Sequence, residues 1–194
     1  MAGHRRGGDT KSEIQEVALS LFTERGYEAT SLREIAECLG ITKAALYYHF
    51  ASKEDIVRSL LTAHLANLDE LIGWAATQPA GPQLREEIID RWSALAAGRG
   101  LRTMRFVLTN HRVVRDLRPE QEGVFERLLE LFDSVTDPEA SLEETLRTRV
   151  ALLSINLTLV AAQGLDAPDE QVIDVARRIA QGLNPRPGPA RAGV

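Results

Sequence analysis

Residues 31–50 read SLREIAECLGITKAALYYHF, and this stretch decides the fold. Ser31 and Glu34 have the spacing of a capping box, in which a hydroxyl and a carboxylate bond the free N–H groups at a helix start. The helix they open puts Leu32, Ile35, Ala36 and Leu39 on one face. It stops at Gly40, a residue that takes positive φ without a Cβ penalty. A second helix follows at once, over about residues 42–50, with Leu46 and Phe50 facing in. Ala36 is small where the two helices cross, and Ile41 plugs the turn. Two short helices joined this tightly form a helix-turn-helix. The second helix of that motif lies in the major groove of DNA while the first crosses the backbone.

The second helix carries groups suited to that task. Thr42 caps the helix and can touch phosphate, and Lys43 can donate to guanine O6 or N7. Ala44 offers a methyl surface to thymine, and Tyr47 and Tyr48 each offer a ring and a hydroxyl. Phe50 and one tyrosine edge are expected in the core, with Tyr47 and His49 outward. Taken alone, His49 reads as a surface histidine, and four bulky residues at helical spacing read as core.

Outward from this stretch the chain is helical almost everywhere. A first helix carries Ile14, Val17, Ala18, Leu21 and Phe22, with Thr10 and Glu13 in capping-box spacing and Gly26 behind. Ser52 and Asp55 cap a long helix reaching Trp74, which spans ~34 Å at ~1.5 Å per residue. After the break TQPAGP at 77–82, helical patterns run over 83–97, 101–117, 119–135, 142–164 and 168–183. The fold class is therefore all-α, with about nine helices. The divisions expected are a flexible basic arm at 1–11, a helix-turn-helix head at 12–51, a helical regulatory and dimerisation body at 52–183, and a disordered tail at 184–194 (NPRPGPARAGV).

Composition narrows the function. The 194 residues are 44% hydrophobic and 26% charged, typical of a globular protein. The single Cys38 excludes an internal disulfide and a cysteine-based zinc cage, which suggests the cytoplasm. The N-terminus MAGHRRGGDTKSE lacks the apolar core of a signal peptide, and the longest apolar-leaning run, 150–165, is interrupted by Ser154, Asn156, Thr158 and Gln163. No membrane partner, cofactor or metal is expected. With 23 basic and 28 acidic residues the net charge is −5, so any DNA contact must be local. All three lysines, Lys11, Lys43 and Lys53, lie in the first 53 positions.

Together, ALSLFTERGYEATSLREIAECLGI, the helix ending LYYHF and the start Ser52-Lys53-Glu54 resemble the DNA-binding head of the TetR family of bacterial transcriptional regulators. Beyond about residue 75 the resemblance is architectural. It implies base contact from Lys43, Ala44 and Tyr47, with Arg33 where some members also reach a base. Backbone contact would come from Thr42, Tyr48, His49 and Lys53. It implies that the last two helices, apolar around more than one face, pack against their twins in a dimer through Leu153, Leu157, Val160, Ala161, Gly164, Val172, Val175, Ala176 and Ile179. A two-fold dimer selects a palindromic operator.

Trp74, Trp92, Met104, Phe106, His111, Phe125, Asn156 and Gln163 are candidates for an effector pocket, although aromatic and Met positions at helical spacing are first of all core. Asn156 and Gln163 stand in an apolar stretch and should have partners. Six arginines, Arg99, Arg102, Arg105, Arg112, Arg115 and Arg118, read as a solvated face with partners on neighbouring helices; the alternative is an anion-attracting mouth. The resulting expectation is a non-enzymatic, ligand-responsive regulator, a repressor released from operator DNA by a small molecule. The alternatives are an activator or ligand-independent repressor, or an all-α enzyme. The enzyme reading lacks a Gly-rich phosphate loop, HExxH and a serine elbow, and has four scattered histidines, His4, His49, His64 and His111.

Overall fold

A computed structural model describes residues 7–117 and 124–184, without the side chains of 7–9, 108, 124 and 125. Among the described residues there are ten α-helices and no strand: α1 Gly7–Arg25, α2 Leu32–Leu39, α3 Lys43–His49, α4 Lys53–Ala75, α5 Pro82–Ala96, α6 Arg99–Thr109, α7 His111–Asp116, α8 Val124–Val135, α9 Leu142–Ala161 and α10 Asp169–Leu183. The described residues divide into two compact units, one within residues 1–64 with 102–121 and the other within residues 65–101 with 122–194.

The first unit is the head. Its core joins Ile14, Ala18, Leu19 and Phe22 of α1 to Ile35 and Ala36 of α2, Leu46 of α3, and Ile56, Val57 and Leu60 of α4. Phe106, Val114 and Leu117 complete it from a stretch far along the sequence, within the range expected to form the body. Phe106 is 1% exposed, with its ring centroid 5.6 Å from Phe22 and 6.0 Å from Tyr27. Three rings at these separations lie in the favourable range for aromatic pairs. Arg102 reaches Glu16 of α1 at 2.5 Å, so one of the six arginines has its counter-ion on a neighbouring helix.

In the second unit α10 packs along α9, with α5 across both and α8 against α9. Ile88, Ile89 and Trp92 of α5, Leu131 and Val135 of α8, Leu152, Ile155 and Leu159 of α9, and Val172, Ala176 and Ala180 of α10 share one core. A capping box at Ser141 and Glu144 starts α9.

Two differences from the sequence expectation have local causes. Residues 101–117 form two helices, because Asn110 adopts φ −117°, ψ 37°; its Nδ2 donates to the Phe106 carbonyl and to Thr109 Oγ1. The Asn110 N–H still reaches the same carbonyl at 2.9 Å, so the break lies in the non-helical backbone angles of Asn110 itself. The first helix begins at Gly7, so Thr10 is inside α1 rather than its cap. The expected arm largely, and the tail from residue 185 on, lie outside the described residues, as do Arg118 and the start of the 119–135 pattern.

Candidate nucleic-acid interface

The turn between α2 and α3 is built by hydrogen bonds the sequence anticipates. Ser31 Oγ accepts from the Glu34 N–H at 3.2 Å while Glu34 Oε2 accepts from the Ser31 N–H at 2.8 Å. The Ser31 hydroxyl, which also donates to Glu34 Oε2 at 2.8 Å, and then the Ser31 N–H hold the Glu34 carboxyl below its ordinary pKa. At the other end Gly40 sits at φ 63°, ψ 28°; its N–H reaches the Glu37 carbonyl and the Ile41 N–H reaches the Ala36 carbonyl, each at 3.1 Å. This is the Schellman arrangement, and it requires a left-handed residue at Gly40. Thr42 then caps α3, its hydroxyl accepting from the Ala45 N–H at 3.1 Å.

With both ends fixed, α3 presents one face to solvent. Leu46 is fully buried and Phe50 is 4% exposed, whereas Thr42, Lys43, Ala44, Tyr47 and Tyr48 are exposed. Both tyrosines point out, Tyr48 most of all at 86%, so neither supplies the expected core edge. His49 is half-buried, because it follows Leu46 by three residues and flanks the buried stripe; its ring meets Tyr48 edge-on at 5.2 Å. The Lys43 ammonium lies 5.5 Å from the Tyr47 ring centroid. Arg33 is exposed on α2 and paired with Glu37.

Lys53 stands differently from the other cations. Its Nζ donates to the Tyr27 carbonyl at 2.7 Å and lies 4.4 Å from the Tyr27 ring centroid. The Tyr27 hydroxyl donates to Glu54 Oε1 at 2.9 Å. Burial first, then Glu54, pushes the Tyr27 pKa up. Two consecutive residues at the start of α4 therefore grip the turn after α1. Sequence reasoning missed this grip, since nothing in the spacing of Tyr27 and Lys53 announces it.

The candidate pocket residues are divided between the two units. Phe106 belongs to the head's core, His111 is exposed, Met104 is half-buried on α6, and the Phe125 side chain is outside the description. In the second unit Trp92 donates from Nε1 to Asn156 Oδ1 at 3.4 Å, which gives Asn156 the partner it needs. Gln163 is exposed past the end of α9. Trp74 is half-buried under the Arg91 guanidinium, 3.8 Å from its ring centroid. A shallow cleft lined by Arg85, Ile88, Ile89, Val135, Thr148, Leu152 and Asn184 has no interior room for even a water-sized molecule.

The residues expected at a dimer interface separate into two groups. Leu153, Leu157, Val160, Ala161, Gly164 and Ile179 are exposed, and Val175 is half-buried. Val172 and Ala176 are 6% and 0% exposed, taken up by the chain's own core. The exposed apolar set on α9 extends further than expected, through Leu142, Leu146 and Val150. Among the described residues no cluster of three His, Cys, Asp or Glu side chains could hold a metal, and no helix is long and apolar enough to cross a membrane.

Capped α2, the left-handed glycine and an outward-facing α3 define a helix-turn-helix protein. Residues 14–60 match the family model described as bacterial regulatory proteins, tetR family. The chain is 38% identical over 84 residues to the HTH-type transcriptional regulator AcrR of Shigella flexneri, covering 42% of this chain and 39% of that protein. It is 47% identical over 55 residues to the HTH-type transcriptional repressor KstR2 of Mycobacterium tuberculosis, covering 28% of each. Those matches therefore span well under half of the relatives' lengths. The fold as a whole is similar to the TetR family transcriptional regulator PfmR of Thermus thermophilus, with TM-score 0.56, 28% identity and coverage of 88% of this chain and 96% of that one. The head over residues 14–60 is thus of the type the tetR family model describes, and the fold that carries it is similar to that of a TetR family regulator.

Proposed function

We propose that this chain is a cytoplasmic transcriptional repressor that binds a palindromic DNA operator as a homodimer and is released by a small-molecule effector. The observation that carries the proposal is the outward set Thr42, Lys43, Ala44, Tyr47 and Tyr48 on a short helix fixed by caps at both ends. A rigid element bearing donors, a methyl group and aromatic rings suits groove reading. Relatives named as repressors support the sign of regulation. In this reading the head over 12–51 reads DNA, and the helices after it carry effector response and dimerisation. Lys43, Ala44, Tyr47 and Arg33 meet bases. Thr42, Tyr48 and His49 meet phosphates, and Lys53 does so with the ammonium donors that Tyr27 leaves over. The exposed ladder Leu142, Leu146, Val150, Leu153, Leu157 and Val160 along α9 suits burial against a second copy, with Ile179 of α10 alongside.

Selection from a random DNA pool followed by titration of the recovered site tests this. A palindrome is expected. Lys43→Ala should relax one operator position by ~1–3 kcal/mol, whereas Lys53→Ala should weaken all DNA alike and lower the salt slope by about one per subunit. Leu157→Glu should shift the species seen in sedimentation to a monomer and abolish palindrome binding. Equal effects of the two lysine variants on cognate and random DNA would refute the assignment of α3 as the reading helix.

A further inference from the structure

The Arg33–Glu37 pair is charged the wrong way round for the helix that carries it. Arg33 lies in the first turn of α2, at the positive end of the helix dipole, and Glu37 lies in the last turn, at the negative end. Arginine ahead of glutamate at i,i+4 is also the weaker order for a helical ion pair. Glu34 of the same helix shows the contrast, since its carboxylate sits at the favourable end and caps it. Helix stability therefore does not account for Glu37. Nor does packing, because its side chain is 59% exposed and that of Arg33 is 77% exposed.

The geometry of the contact offers another role. Glu37 Oε1 accepts from Arg33 Nε at 2.7 Å. A guanidinium held by Nε keeps its terminal Nη1–Nη2 edge for a second acceptor, and that flat edge is what bonds guanine O6 and N7 together. A long exposed arginine otherwise samples many rotamers and meets the nearest phosphate as readily as a base. Resting on the DNA-reading function proposed above, we infer that Glu37 is a positioning residue. It holds the Arg33 guanidinium so that its outer edge reads one guanine of each operator half-site.

The test measures discrimination at each operator base pair, by fluorescence anisotropy at one salt concentration, with single-substitution variants of the selected site. Arg33→Ala should lose about tenfold discrimination at one G·C pair. Glu37→Ala should lose most of that discrimination at the same pair while binding random DNA more tightly, since a negative charge leaves the DNA-facing side. Glu37→Gln keeps an oxygen that accepts from Nε and should restore most of it. Glu37→Ala added to Arg33→Ala should change nothing further at that pair. Unchanged or sharper discrimination in Glu37→Ala overturns the inference, as does Glu37→Gln behaving like Glu37→Ala. If Lys43→Ala relaxes its own position while Glu37→Ala alters none, DNA reading stands and only the role of Glu37 falls. If no variant changes discrimination anywhere, the DNA-reading function falls with it.

Discussion

A single methyl group at Gly40 tests how the turn of the helix-turn-helix is held. Its φ of 63° places it in the left-handed region, and a Cβ built there meets nothing within 4 Å. Crowding is therefore absent, and the whole effect of Gly40→Ala is the backbone preference of an L-residue, ~1–2 kcal/mol. For a chain of this length that corresponds to a fall in Tm of roughly 2–8 °C. Asparagine visits the left-handed region more readily, so Gly40→Asn should lose less. Thermal melts of the three proteins, followed by far-ultraviolet circular dichroism, measure the order glycine, asparagine, alanine. Alanine matching the parent, or asparagine faring no better than alanine, would refute the claim that the turn is held by its left-handed residue.

Two other predictions use different physics. Gly100 has no left-handed φ, yet a Cβ there would lie 2.1 Å from the Leu95 carbonyl oxygen. Gly100→Ala should destabilise by ~1–3 kcal/mol through backbone displacement, whereas Gly73→Ala, in open space on α4, should stabilise by ~0.5–1 kcal/mol; denaturant midpoints compare them. The carboxyls of Glu34 and Glu144 are held below their ordinary value of 4.5 by the Ser31 and Ser141 bonds, so their contribution is complete above that pH and is lost as pH falls through their lowered values. The double variant Ser31→Ala, Ser141→Ala should show a shallower loss of stability on acidification in urea titrations at successive pH values.

The head was legible because its signals are local. Ser31 with Glu34, Gly40, and Leu46 four residues before Phe50 each act within one helical turn, where sequence spacing fixes geometry. Asn110 was missed because a helical period survives across it, while the break lies in its own backbone angles, φ −117° and ψ 37°. Asn156 and Gln163 looked alike in the sequence and part company in space, since only one stays in contact with buried residues. Val172 and Ala176 show the same limit: an apolar face says that burial is needed and not which surface supplies it. The grip of Lys53 on Tyr27 spans 26 residues, and no periodicity encodes it.

The placement of Phe106, Val114 and Leu117 has a consequence for how such heads can be exchanged. The segment that matches other regulators, residues 14–60, leaves the rings of Phe22 and Tyr27 uncovered unless the strip from α6 and α7 comes with it. A graft that transplants only the matched segment onto a foreign scaffold would inherit whatever the host presents in place of Phe106. Transfer of the head between scaffolds thus depends on residues outside the matched segment, and a transplant carrying both pieces should keep its fold where the shorter one loses its shape.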